Sequence, residues 1–278
     1  MKTFKIKAIS SKSSEKLLEE YSWYKPVQWF GKKIRIILEN LSIYSHFIYR
    51  IFTRTPLVFK NLHLTMHQMM VIGISSLPLI AITSIFTGGV TAWQAAYQFS
   101  DYIPLTYLGT AVGKAVMLEL SPVLTALVVA GRIGAAMAAE LGTMRVTEQI
   151  DAMESLALDP FRFLLAPRLV ASTIMLPSLT AIGATIAIWG AIGVANFFLG
   201  LSIHTFVAGL RLFFETKDVI VCLVKAFVFG LIIAMMGCYY GYNTTGGAEG
   251  VGVSTKKSVV AASVWILISD YLVVALFL

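Results

Sequence analysis

Charge is scarce in this sequence of 278 residues: Asp, Glu, Lys and Arg together make up 13% of it, about half the share of an average soluble domain. With 57% of residues hydrophobic and a mean hydropathy of +0.78, that scarcity excludes an ordinary soluble fold. The alternating ten-residue segments of a membrane barrel are missing as well. Cysteine is nearly absent; Cys222 and Cys238 fall in one apolar run, read as small buried hydrophobes, and say nothing of redox compartment. The first thirty residues are too polar and too rich in Lys and Glu for a secretory signal. No internal repeat is visible, which leaves an inverted-repeat secondary transporter without support.

Catalytic and cofactor motifs are also lacking. His63 and His67 have zincin spacing, but Leu64 stands where the general-base Glu belongs, so no metal site is read there. Gly109 to Lys114 approaches a phosphate loop, yet Leu108 replaces the first Gly and Ala115 the final Ser or Thr. No serine sits in a nucleophile elbow. The chain is read as a non-enzyme that binds no cofactor or metal; any use of ATP requires another chain to hydrolyse it.

What is present is a series of apolar runs of about 20 residues or more, enough for a helix to cross a hydrocarbon core roughly 30 Å thick. The expectation is an all-α integral membrane protein with five transmembrane helices, at about 68–91, 105–139, 161–199, 218–240 and 258–278. A polar cytosolic tail is expected over about 1–25 and an N-terminal amphipathic interfacial helix over about 26–55, ahead of a transmembrane domain from about 56 to 278. The helix from Phe30 carries Ile34, Ile37, Leu41, Tyr44, Ile48 and Ile51 on one side, and Thr55-Pro56 ends it.

The net charge of +7 is distributed as membrane topology demands rather than as a nucleic-acid surface: twelve of the 22 basic residues precede Val71. The N-terminus is therefore placed in the cytoplasm. The loop after the first span carries Asp101, Trp93, Tyr97 and Tyr102 and no basic residue, so it faces outward. The second span exceeds a bilayer and must tilt, kink at Pro122 or project into the cytoplasm. Residues 200 to 217 read as a short amphipathic outer segment, and the glycine-rich stretch from Asn243 to Gly252 as a flexible inner loop.

Charges inside the spans each cost several kcal/mol unless paired or wetted. Lys114, Glu119, Lys225 and Asp270 qualify, with Arg132 at the inner end of the second span. Lys114 and Glu119 are poorly spaced for a direct pair, so each should find its partner on another helix. They mark either a polar cavity or gate, or structural pairing that sets helix register.

The strongest anomaly is Glu140 to Pro160, where Glu140, Glu148, Asp151, Glu154 and Asp159 crowd into about twenty residues. Such a segment cannot lie in lipid. Ile150, Met153 and Leu156 or Ala157 form one face and Glu148, Asp151 and Glu154 another. A short cytoplasmic helix at about 143–158 follows, either a surface loop or a docking element. Asp159 is placed to cap the next helix, with Pro160 at its first position.

The run from Glu119-Leu-Ser-Pro through Ala130-Gly-Arg-Ile-Gly and Glu140-Leu-Gly-Thr to Leu158-Asp-Pro160 closely resembles the signature of the MlaE/YrbE permease family. Tyr242-Asn-Thr-Thr-Gly-Gly-Ala-Glu-Gly-Val-Gly252 and Ser269-Asp-Tyr-Leu272 continue the likeness, which covers roughly Thr55 to the C-terminus. The sequence departs from the pattern at Ser121, where Gly is common, and at Lys256-Lys257.

The resemblance implies a non-catalytic permease subunit of an ABC transporter that moves phospholipid between the inner and outer membranes, maintaining outer-membrane lipid asymmetry. It implies a homodimer, an ABC ATPase partner that holds ATP and Mg, and an MCE-domain substrate-binding protein. It makes the acidic segment the coupling helix, with Glu140, Thr143, Arg145, Glu148, Gln149, Asp151, Glu154 and Asp159 toward the ATPase. Lys114, Glu119, Arg132, Lys225 and Asp270 remain candidates for gating. The implied location is the bacterial inner membrane, with the N-terminus cytoplasmic and the C-terminus periplasmic, or alternatively the plastid inner envelope. Apart from the resemblance, a self-sufficient ion-coupled transporter or intramembrane enzyme centred on Lys114, Glu119 and Asp270 is the other reading the residues allow.

Overall fold

The computed structural model describes residues 35, 42, 44–56, 58, 62–99 and 103–277. Residues 1–49 form a unit of their own, in which 44–49 are helical. The expected polar tail and most of the interfacial helix lie outside the described residues, as do Asp101 and Tyr102. In the second unit residues 50–54 are helical, with Ile51 fully buried and Phe52 exposed.

Five helices in the second unit are long and apolar enough to cross a membrane. We label them with the two short helices in chain order: α1 (Leu62–Phe99), α2 (Leu105–Val146), α3 (Gln149–Ser155), α4 (Phe161–Phe197), α5 (Ile203–Leu212), α6 (Thr216–Tyr242) and α7 (Gly247–Phe277). No strand occurs among the described residues. The protein is an all-α integral membrane protein. α3 lies at one end of the bundle, between α2 and α4, and α5 at the other, between α4 and α6.

α4 and α6 form the centre. Half of their most apolar window is buried, against 17% in α7 and 22% in α1. α1 and α7 therefore leave long apolar faces uncovered by the rest of the chain. Close helix contacts depend on missing side chains: a Cβ at Gly88 of α1 would collide with the Ala187 carbonyl of α4, and one at Gly190 with the Ile85 carbonyl. This is how helices associate in lipid, where burial from water supplies no attraction. Two apolar clusters fill the interior, one around Val129, Leu176, Phe229 and Ile233, the other around Leu108, Val116, Ala191 and Phe206.

α2 has 42 residues, about 60 Å at 1.5 Å each, twice a hydrocarbon core. It contains π-helical turns at Val116–Leu120 and Ala130–Gly134, on both sides of Pro122, so the irregularity is spread beyond the proline. The first and last spans are longer than the sequence pattern indicated. α7 begins at Gly247, so the glycine-rich stretch is not a flexible loop. Gly246 and Gly247 turn the chain at φ 91° and 67°, and the helix starts at once. Among the 200–217 residues, α5 starts from Ser202, whose hydroxyl accepts from the Thr205 N–H at 3.1 Å.

Candidate functional site

At one end of the bundle the acidic segment folds into α3, a helix of seven residues, shorter than the 143–158 expected. α2 runs on to Val146, which puts Thr143 and Arg145 on α2 instead. Glu148 before the helix and Ala157 after it adopt left-handed backbone, φ 60° and 58°, each at roughly 1 kcal/mol or more for a residue with a Cβ. Two such corners turn the chain out of α2 and back toward α4.

Ile150 anchors α3 by full burial. Arg145 Nη1 donates to Asp151 Oδ1 at 2.6 Å, and the Tyr242 hydroxyl donates to Glu154 Oε1 at 2.9 Å. Arg145 also stands over the Tyr242 ring, 5.5 Å from its centroid. Asp159 caps α4 as expected, accepting from the Phe161 N–H at 3.1 Å, and its other oxygen meets Arg54 Nε at 2.8 Å. Glu140 lies on α2 and receives Arg168 Nη2 at 2.8 Å, a strut between α2 and α4. Thr143 donates to its own helix at Ala139 O, and Gln149 Nε2 to Thr147 Oγ1.

Most of the acidic segment is thus engaged within the chain. Glu148 is exposed at the first corner. Leu156 and Leu158 are exposed at the second, with 72% of Leu156 open. The periodicity put Leu156 on the same face as Ile150, but the helix ends at Ser155 and the left-handed Ala157 turns the chain, so Leu156 is displayed instead. Its exposure could not be found by helical spacing, which presumes that the helix continues.

A second site lies within the spans. Lys225 of α6 is fully buried, and its Nζ donates to Leu118 O and Glu119 Oε1 of α2, both at 2.8 Å. Asp270 Oδ1 of α7 is also 2.8 Å from Nζ, as an ion pair out of line for a hydrogen bond. The Glu119 side chain is 46% exposed, so the cluster opens outward through it. Lys114 belongs elsewhere: its Nζ lies 3.9 Å from both Asp218 and Glu215, toward the α5 end. Arg132 is separate again and donates to Ser76 Oγ at 2.9 Å. The five charged candidates therefore form one three-residue cluster and two independent contacts. No group of His, Cys, Asp and Glu suited to a metal occurs among the described residues.

An apolar groove of about 780 Å³ runs between α1 and α4, walled by Phe86, Trp93, Trp189, Phe197 and Phe198. Trp93 and Phe198 pack edge to face there, with centroids 5.8 Å apart.

The family described as Permease MlaE matches residues 65–276, from α1 through α7. The chain belongs to the MlaE permease family. Its relatives include a probable ABC transporter permease protein of Rickettsia bellii, 40% identical over 250 residues, spanning 89% of this chain and 95% of the relative. A probable ABC transporter permease protein of Synechocystis is 39% identical over 243 residues, 87% of this chain and 89% of that one. The Arabidopsis thaliana protein TRIGALACTOSYLDIACYLGLYCEROL 1, chloroplastic, is 37% identical over 213 residues, 77% of this chain and 61% of its own. For this MlaE-family chain a multi-pass ABC transporter permease is the coarse identity. Neither Leu158 nor the role of Tyr242 in fastening α3 was singled out by sequence, and Leu156 was placed on the buried face, because each matters only through its neighbours in space.

Proposed function

We infer that this chain is the membrane-spanning, non-catalytic subunit of an ATP-driven phospholipid transporter, working as a homodimer with an ABC ATPase and an MCE-domain protein. The observation that carries the reading is α3: a short helix set between two left-handed corners at the mouth of a long-helix bundle, flanked by the exposed Glu148, Leu156 and Leu158. A soluble partner that grips this element can move α2 and α4 together, because α3 joins them. ATP and Mg would sit on that partner, and its nucleotide state would bias the permease through a contact of different strength in each state.

Lipid as cargo is supported by the apolar groove, by the galactolipid in the name of the plastid relative, and by the charge cluster of Glu119, Lys225 and Asp270, which offers a polar headgroup somewhere to pass. In this reading the outward faces of α1 and α7 meet a second copy of the chain or lipid. The α3 end faces the cytoplasm, and the membrane is the bacterial inner membrane or, for a plastid chain, the inner envelope.

Glu148→Lys and Leu156→Asp test the docking. Each is expected to weaken association with the ATPase about tenfold or more, as loss of an interface anchor does, read by copurification from detergent. Asp151 is a poorer target, since its reversal also breaks the pair with Arg145. Variants that keep the ATPase and transfer lipid undiminished overturn the assignment. Transport by the chain alone in liposomes, driven by an ion gradient without ATP, would favour the self-sufficient reading instead.

A further inference from the structure

We propose that Tyr242 is the positioning residue through which displacement of α3 is passed into α6 and on to the buried Lys225. The proposal rests on the transporter reading above and names the link that reading needs between the ATPase and the interior of the membrane domain.

Tyr242 is the last residue of α6, and three other elements meet on its side chain. Its hydroxyl donates to Glu154 of α3 at 2.9 Å, joining positions 88 residues apart. Arg145 of α2 lies over the ring, and Phe161 at the start of α4 sets its own ring 5.1 Å away, tilted by 55°. The aromatic contacts hold the ring in place, and the hydroxyl at its tip adds one directional bond to α3. The Arg145–Asp151 pair, by contrast, returns α3 only to the end of α2 from which it has just emerged.

α3 is built to move as a block. The seven-residue helix lies between left-handed corners at Glu148 and Ala157, with Leu156 between its last residue and the second corner, and a change of dihedral at a corner re-aims the whole helix. α6 is built to pass that motion on. Near Tyr242 it packs closely on α2, its glycines facing α2 side chains: a Cβ on Gly241 would stand 2.8 Å from Leu141 Cβ, and one on Gly237 3.1 Å from Met137 Cβ. A pull at Tyr242 is carried along α6 because this helix is one uninterrupted α-helix of 27 residues. Lys225, about 25 Å along the same helix at 1.5 Å per residue, holds Leu118 and Glu119 of α2 and faces Asp270 of α7. A small shift of α6 changes all three contacts at once.

The test uses the intact complex with its ATPase in proteoliposomes, and Tyr242→Phe, which removes the hydroxyl and keeps the ring. Lipid transferred per ATP hydrolysed is expected to fall about fivefold, the scale of one net hydrogen bond, while the ATPase stays bound. Tyr242→Ala, which also removes the contacts with Arg145 and Phe161, should lower the ratio further. An unchanged ratio in Tyr242→Phe overturns the proposal. Loss of the ATPase from that variant, or failure of the variant to accumulate, would assign the hydroxyl to docking or folding and overturn it equally. A wild-type complex that never retains an ATPase would instead sink the transporter reading, so the two failures are distinguishable.

Discussion

Pro122 has no N–H, so the Leu118 carbonyl four residues back lacks its helical donor, and Lys225 Nζ donates to that carbonyl at 2.8 Å. The same ammonium faces Glu119 and Asp270, so one buried side chain serves a broken helix and two carboxylates. Lys225→Met would leave the Leu118 carbonyl and a mostly buried Asp270 unmatched, at a cost of about 3 kcal/mol. The thermal midpoint in detergent should fall accordingly. Lys225→Met combined with Glu119→Gln and Asp270→Asn should regain part of the loss, because the orphaned charges go with the cation. If the triple variant is less stable than the single one, the carboxylates have partners other than Lys225. The need for partners was legible in the sequence, since a charge in lipid requires one. Which residues pair was not, because Glu119 and Lys225 are 106 positions apart and only the packing of α2 on α6 brings them together.

At the scale of elements, the sequence pattern located all five spans and a short amphipathic segment at 200–217, within which α5 forms, because long apolar runs and the charge between them leave few alternatives. It misjudged the ends. Glycine at 246, 247, 250 and 252 looked like a loop, yet two of these residues make one tight turn and the rest belong to α7. Composition cannot distinguish a glycine needed for a turn or a close approach from one that marks flexibility. The contrast is testable within α1 and α4. Gly88→Val would drive a side chain into the Ala187 backbone and should cost about 1–3 kcal/mol or more through overpacking, with a matching drop in thermal midpoint. Gly193→Val, at a position where a Cβ meets nothing within 4 Å, should change it little. Equal losses would mean that the α1–α4 approach is looser than the geometry shows.

For the whole molecule, five crossings put α3 and α5 on opposite sides of the membrane, and the distribution of charge assigns the sides. Arg145, Arg162 and Arg168 cluster at the α3 end together with Arg54, which pairs with Asp159, and Arg50, which lies over Phe161. Lys256 and Lys257 follow on the first turns of α7. The α5 end carries Arg211 and Lys217. The positive-inside rule predicts a cytoplasmic α3 end. Single cysteines provide the check, because the native Cys222 and Cys238 are buried and should stay unlabelled. In intact cells a membrane-impermeant maleimide should label Lys217→Cys, at the exposed start of α6, but should reach Ser155→Cys on α3 only after permeabilisation. The reverse pattern would put α3 outside, where no ATPase could reach it, and would remove the basis for coupling through Tyr242.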